Sequence, residues 1–380
     1  MIYFDNAATT QHKPERVGQA VLEAMGSFGG VGRGVHGASL SAGMAVYEAR
    51  DALADLLGAP DASRVSFASN VTEALNIALM GLLKPGDHAV TTAASHNSVL
   101  RPLHLLENYG VEVTCVPIGP DGSLDFAAYE AAFRPNTKLA VITHGSNLTG
   151  DVYDIAWQAQ VAHSHDALVV VDAAQTAGVI PLDMAAQKLD VVCFTGHKAL
   201  YGPQGTGGLA VAEGVEIPPF KVGGTGTHSY DLNHPLFMPE RLEAGTLNGH
   251  GIAGLAAGVA FIKEVGIDAI AAHEAQLVSL LEQGIADVPG MRILGGHGGV
   301  ARTGIVALNL GTADSGLIAD RLNMDWGICT RAGAHCAPLM HKALGTESQG
   351  AVRFSFSWFN TSQQVQVAVD ALHELAEQLG

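Results

Sequence analysis

The stretch DVVCFTGHKALYGPQGTGG, residues 190–208, runs from an apolar segment through His197 and Lys198 into a glycine-rich tail. Val191, Val192, Cys193 and Phe194 are apolar at successive positions, the mark of a strand covered on both faces. Runs at 88–92, 139–143 and 168–171 share this texture, and longer segments of helical period separate them. Short apolar strands alternating with helices predict an α/β fold on a mainly parallel sheet. In such sheets ligands bind beyond the carboxyl ends of the strands. His96, Asn147, Asp172 and Lys198 each follow one of the four runs closely. Four polar residues on one sheet edge predict one site.

The chain has 380 residues, 48% apolar and only 15% charged, enough to bury a large domain and a smaller one. Its texture changes around 245–254 from strand-rich to longer helical segments. We therefore expect a large domain over 15–250 and a small domain formed by 1–14 and 251–380. Asn70-Val71-Thr72-Glu73 reads as a capping box opening a helix over 70–83, with Leu75, Ala78, Leu79 and Leu82 on its apolar stripe. Val365, Val369, Leu372, Ala376 and Leu379 mark an amphipathic helix near the end.

Twenty basic against 37 acidic side chains give a net charge of −17, with no basic cluster, which argues against nucleic acid or an anionic membrane as partner. The N-terminus lacks the basic and apolar regions of a secretory signal, and the stretch 253–262 is too short and glycine-broken to span a bilayer. The expected location is cytoplasmic. Four cysteines without a CxxC pair fit a reducing compartment, and Cys115 and Cys193, set in apolar runs, read as inert buried thiols. The 17 histidines form no His-Glu-x-x-His and no clustered ligand spacing, so no metal is expected.

A lysine at a sheet edge can form a Schiff base with an aldehyde, and an aspartate can hold a heteroaromatic nitrogen protonated. Lys198 and Asp172 together suit pyridoxal phosphate, and the start of the 70–83 helix, with the Thr72 hydroxyl, suits its phosphate. Taken singly, Lys198 reads as a solvated loop lysine, Asp172 as a turn residue, and GPQGTGG as a weak phosphate loop lacking Gly-Lys-Ser/Thr. Their order along the chain carries the weight.

The segments YFDNAATT, SNVTEALN, HNSVLRPL, SNLTG, VDAAQTAG, FTGHKALYGPQGTGG, EAGTLN, RAGAHCAP and RFSFSWFNT, in this order, resemble the class V pyridoxal-phosphate enzymes of the cysteine desulfurase and selenocysteine lyase group. The resemblance implies a fold-type I architecture, a mainly parallel seven-stranded sheet between helices with a smaller α+β C-terminal domain. It implies Lys198 as the Schiff-base lysine, Asp172 as partner of the pyridinium nitrogen and His96 stacked on the ring, with Asn147 and Gln175 near the ring hydroxyl. Asn70, Val71, Thr72, Thr195 and His197 fall at the phosphate, and Thr246 at the phosphate of a neighbouring subunit, so a homodimer is implied. Asn6, Ala7, Arg33, His36, Asn147, Arg331 and Arg353 fall on the substrate side, Arg353 as anchor of the α-carboxylate. The glycines after Lys198 are expected to let the backbone turn beside the cofactor.

Cys336 lies in RAGAHCAP among Gly, Ala, His and Pro, a loop composition in which a thiol is reachable. A thiolate there attacking the sulfur of bound cysteine would form a persulfide and leave alanine. With selenocysteine the thiol would matter less. The chain departs from better-known desulfurases at Asn70-Val71-Thr72-Glu73, where Gly-Thr-Thr-Glu is common, and at Ala332, where Thr or Ser is common. Neither change removes a reacting group. The expected function is release of sulfur or selenium from L-cysteine or L-selenocysteine, with a possible sulfur-acceptor protein as partner. Alternatives are another class V reaction, namely C–S lysis of a different substrate, epimerisation or amino transfer, or a non-catalytic sulfur-carrier docking subunit.

Overall fold

A computed structural model describes residues 1–31, 34–296 and 300–379. Seven strands form the central sheet in the order Val65–Ala68, Gly207–Val211, Val191–Thr195, Leu168–Asp172, Thr137–Thr143, His88–Thr92 and Glu112–Val116. Five neighbouring strands, from Val191–Thr195 to Glu112–Val116, pair in parallel, and Gly207–Val211 runs antiparallel to both of its neighbours. The four runs read from the sequence are interior strands with nearly every residue buried, as expected where helices cover both faces. Glu112–Val116 is an edge strand with an exposed side. Cys115 projects there and is exposed, not buried as its apolar neighbours implied, because an edge strand has no flanking strand and its second face is open.

The helix Val71–Leu82 starts at the Asn70 cap, whose Oδ1 accepts from the Glu73 N–H at 3.0 Å. The other half of the expected capping box is displaced. Glu73 Oε2 accepts from the N–H and hydroxyl of Ser69 at 2.6 and 2.7 Å instead of from the Asn70 N–H. The Asn70 N–H thus lacks its box partner, and the Val71 and Thr72 amides, which no capping box engages, are also uncommitted.

The glycines after Lys198 act differently from the expectation. Gly205, at φ 75°, turns the chain into the Gly207–Val211 strand. At Gly207 a Cβ would stand 2.7 Å from Asn70 Cα, so only glycine lets this strand lie against the start of the Val71–Leu82 helix. None of Gly202, Gly205, Gly207 and Gly208 borders the cavity described below. They set the distance between helix cap and sheet, and the space for a ligand is left by other residues.

A second sheet of four antiparallel strands has the order Arg331–Gly333, Ala351–Ser355, Ile305–Leu310 and Met291–Leu294. The N-terminal Ile2–Tyr3 pairs in parallel with Ile328–Cys329, and Phe4 is buried in the same core as Phe354 and Phe356. The C-terminal helix Ser362–Leu379 buries Val365, Val369, Leu372 and Ala376 in that core, whereas its last expected stripe residue, Leu379, is 39% exposed in the final turn. The helix Gly249–Val265 packs on Glu15–Ser27 and Gly37–Leu57. Among the described residues no helix is long and apolar enough to cross a membrane.

Candidate active site

The carboxyl ends of the parallel strands open into a cavity of about 290 Å³. Asn70, Val71, Thr72, His96, Asn147, Asp172, Gln175, Thr195, His197, Lys198, Arg331, Arg353 and Ala7 all line it. Asn6 lies one step aside, in a cavity of about 30 Å³ that also borders Lys198, where its amide donates to the Ser355 carbonyl at 2.8 Å. Two expected residues are elsewhere. His36 is exposed at the start of the Gly37–Leu57 helix, and Thr246 is exposed in a separate cleft beside Gly205 and Lys221. Neither lines the main cavity, although the cleft of Thr246 includes Ser69 and Glu73, which flank the cavity-lining Asn70–Thr72. Arg33 lies outside the described residues.

Asp172 ends its strand and is buried, with Oδ1 accepting from the Ala174 N–H at 3.0 Å. Burial raises its pKa, while that N–H and the Lys198 charge pull the other way. Lys198 is lowered to about 8, first by burial; Asp172 opposes that shift, and Arg353 and Arg331 reinforce it. A lysine poised near neutrality in a cleft is a candidate nucleophile and base. The N-terminal segment holds the turn that carries it: Thr10 donates its backbone N–H to the His197 carbonyl at 3.1 Å and its hydroxyl to the Lys198 carbonyl at 3.2 Å.

His96 caps the helix Asn97–Glu107, its Nδ1 accepting from the Ser98 N–H at 3.0 Å. Burial lowers its pKa to about 4, aided by the charges of Lys198, Arg331, Arg353 and Arg101, so the imidazole is neutral with its proton on Nε2. The Ser98 hydroxyl lies 2.9 Å from His96 Nδ1 and 2.8 Å from the Thr72 hydroxyl, joining the two helix starts. Sequence reasoning did not single out Ser98. Its position two residues after a capping His96 in HNSVLRPL was the available signal.

Arg353 is 1% exposed and lies opposite Arg331 in the register of the small sheet. It donates from Nη1 to the Asn147 carbonyl at 2.7 Å and from Nη2 to Asp5 at 3.0 Å, and its Nε has no partner. Burial lowers its pKa to about 10 against the favourable pull of Asp5. Arg331 makes no ion pair among the described residues. Two guanidiniums against one carboxylate leave the site in want of an anion.

His335 and Cys336 both adopt positive φ, 49° and 54°, an uncommon pair for residues with side chains. The turn is tied down on both sides. Asn147 Nδ2 donates to the His335 carbonyl at 2.6 Å, and the Asn97 N–H donates to the Cys336 carbonyl at 2.9 Å. His335 is buried among these groups, and Cys336 is exposed. The thiol borders an outer groove that shares Thr72, His96 and Ser98 with the cavity.

A lysine and a buried aspartate meeting at the carboxyl edge of a seven-stranded, mainly parallel sheet define a ligand-binding α/β fold of the class that carries amine chemistry. The chain belongs to the Aminotransferase class-V family, whose model matches residues 2–367. It is 33% identical over 384 residues to a "Probable cysteine desulfurase" of Methanothermobacter thermautotrophicus, covering 99% of this chain and 94% of that protein. Another "Probable cysteine desulfurase", of Mycolicibacterium paratuberculosis, is 33% identical over 391 residues, but this chain spans only 56% of its length. Among solved structures, the apo cysteine desulfurase of Thermococcus onnurineus NA1 superposes with a TM-score of 0.93 at 32% identity, over 99% of this chain and 95% of that one. The fold is fold-type I, and the family is dependent on pyridoxal phosphate.

The residues present fit that cofactor. Glu73 and Ala74 amides are taken by Asn70, which leaves the Val71 and Thr72 amides at the cavity wall beside the Thr72 hydroxyl. The Thr195 hydroxyl, His197 Nδ1 and Asn147 Oδ1 are buried there without a protein partner, an arrangement that costs free energy unless a polar ligand satisfies them.

Proposed function

We propose that the protein is a cysteine desulfurase that converts L-cysteine to L-alanine, taking the sulfur onto Cys336, and that it also accepts L-selenocysteine. The observation that carries this reading is the pair of hydrogen bonds, from the Asn147 side chain and the Asn97 main chain, that fasten the carbonyls of the exposed Cys336 turn at the rim of the Lys198–Asp172 cavity.

Pyridoxal phosphate, when bound, supplies an aldehyde for the amine of the substrate and a conjugated ring that accommodates negative charge from its Cα. The Thr72 hydroxyl, the Val71 and Thr72 amides, Thr195 and His197 would hold the phosphate. Asp172 would face the ring nitrogen, His96 the ring plane, and Asn147 and Gln175 the ring hydroxyl. Gln175 is fixed for this by donating to the Ala7 carbonyl at 3.1 Å, which leaves its own oxygen and second N–H free.

Arg353 would take the substrate carboxylate, with Asn6 and Ala7 closing the near wall and Arg331 balancing charge. Lys198 Nζ, lowered to about 8, is partly neutral at physiological pH and accepts the Cα proton. Cys336 then attacks the substrate sulfur as a thiolate. The Cβ–S bond breaks, a sulfur–sulfur bond forms on Cys336, and protons return to the carbon skeleton, which leaves as alanine. Cysteine plus thiol thus balances alanine plus persulfide. For selenium, a better leaving atom, Cys336 matters less.

A homodimer is part of this proposal. Val35, Leu40, Met44 and Tyr47 are all more than half exposed beside a hollow of about 390 Å³, an apolar face that a second copy would cover. Thr246, which does not line this chain's own cavity, would reach the neighbour's phosphate across that contact.

Alanine, sulfide and selenide release should be measured from both amino acids with the wild type and Cys336→Ala. Loss of turnover of cysteine, with selenocysteine largely spared, is expected. Undiminished cysteine turnover by C336A would overturn the assignment.

A further inference from the structure

The partition formed by Thr72, His96 and Ser98 has an outer side. There the helices Val71–Leu82 and Asn97–Glu107 enclose a groove of about 410 Å³. Thr72 and Asn76, one turn apart, line it from the first helix. Asn97, Arg101 and Leu105, spaced by four, line it from the second. The bond from the Asn97 amide to the Cys336 carbonyl places the thiol at the start of that row, so Arg101 follows one turn along and Leu105 two. Arg101 is exposed and makes no ion pair or hydrogen bond among the described residues. The chain otherwise carries 37 acidic side chains to 20 basic. One unpaired cation thus stands beside the reactive thiol in a recess with an apolar far end.

We propose that this groove receives the sulfur acceptor and that the acceptor is a small thiol bearing a carboxylate, which Arg101 holds. The inference rests on the cysteine desulfurase reading. Substrate enters through the cavity on one side of the partition, and sulfur leaves by the groove on the other. The acceptor thiolate attacks the outer sulfur of the Cys336 persulfide. The sulfur–sulfur bond to Cys336 breaks, a new one forms on the acceptor, and Cys336 recovers the proton that the acceptor gave up. No oxidant or reductant is consumed. A small anion is favoured over an acidic protein because charge beyond about 8–10 Å is screened, so a small ligand feels mainly Arg101, while a large acidic surface would meet the chain's net charge of −17.

The test uses the cofactor-loaded protein at low ionic strength. Labelling of Cys336 by iodoacetate and by iodoacetamide is followed by mass spectrometry, and the ratio of the two rates is compared across wild type, R101Q and R101K. The ratio should fall about threefold in R101Q and be retained in R101K, the size expected for one nearby charge in water. Persulfide transfer to mercaptosuccinate and to 2-mercaptoethanol is measured alongside. The KM for mercaptosuccinate should rise about threefold or more in R101Q, with that for 2-mercaptoethanol unchanged. Normal alanine formation with a ratio and KM indifferent to Arg101 overturns the groove alone. Absence of alanine from cysteine overturns the desulfurase reading, and the labelling ratio still reports whether the groove selects anions.

Discussion

Asn147 donates from Nδ2 to the carbonyl of His335 at 2.6 Å, across 188 residues of sequence. One bond thereby couples the carboxyl edge of the large sheet to the turn that presents Cys336. The same Asn147 accepts at its backbone carbonyl from Arg353, so the buried guanidinium proposed as substrate anchor, the cavity wall and the thiol turn share one residue.

Asn147→Ala should therefore loosen the Cys336 turn as well as the cavity. Leaving the His335 carbonyl unpaired costs about 1–3 kcal/mol locally, enough to let two residues at positive φ relax. Iodoacetamide labelling of Cys336 should accelerate several-fold while alanine formation falls. Unchanged labelling would show that the turn is held by other contacts.

Lys198 gives a pH prediction. With its pKa lowered to about 8 by burial, the neutral amine is abundant well below the range of an ordinary lysine. Uptake of pyridoxal phosphate by the apo protein, followed by visible absorbance, should speed up with rising pH and level off above about 8. Lys198→Ala should give a colourless protein and lower turnover by about 10²–10⁴-fold, the span of a lost acid–base group. A rate still climbing at pH 10 would show an unperturbed amine.

Much of this site was legible in the sequence because each strand is a contiguous apolar run whose end is marked by the residue it delivers. Asp172, Lys198, His96 and Asn147 needed only the strand ends to be placed together. What sequence did not reveal depends on tertiary approach. The shift of Glu73 to Ser69 follows from side-chain reach, and the role of Gly207 from how closely a strand passes Asn70. Cys115 sits in an apolar run like Cys193, and only strand order shows that one is on an edge and the other in the middle. Glu274 gave no signal at all. It reads as one more polar residue of the helix Ile267–Gly284, yet it is buried behind Lys198 in the small cavity next to Tyr201.

That buried carboxyl is raised to about 8 by burial, although the Gly304 N–H, donating at 3.1 Å, favours its charged form. The folded state thus keeps a proton that the unfolded chain gives up near pH 4.5. Its contribution to stability is complete below pH 4.5 and is lost as pH rises through about 8. Glu274→Gln keeps the shape without the ionisation. It should raise the urea midpoint at pH 9 relative to wild type, by the equivalent of about 1 kcal/mol or more, and leave it little changed at pH 5. Equal midpoints for E274Q and wild type at pH 9 would mean that Glu274 ionises freely in the folded protein.

On the acid side the histidines act in the opposite sense. His96, His197 and His144 are each lowered to about 4, and His335 to about 3, in every case chiefly by burial. All four are neutral in the folded protein at pH 5, where the unfolded chain would hold their protons. A depressed histidine gives stability that is present above its unfolded pKa of 6.5 and declines as pH falls toward 4. His96, His197 and His335 line the candidate active site and its rim, so acid should open that site before the rest of the fold. We expect the urea midpoint to drop between pH 6.5 and 5, with each histidine contributing on the order of 1 kcal/mol after solvent screening. Cys336 labelling should accelerate, relative to free thiol at the same pH, over the same interval. His144 does not itself line the cavity, although its neighbours Thr143 and Gly145 do, so His144→Gln should flatten the fall in stability and leave the labelling change in place. If H144Q abolished both, one global unfolding step would account for the acid response, and the site would have no acid sensitivity of its own.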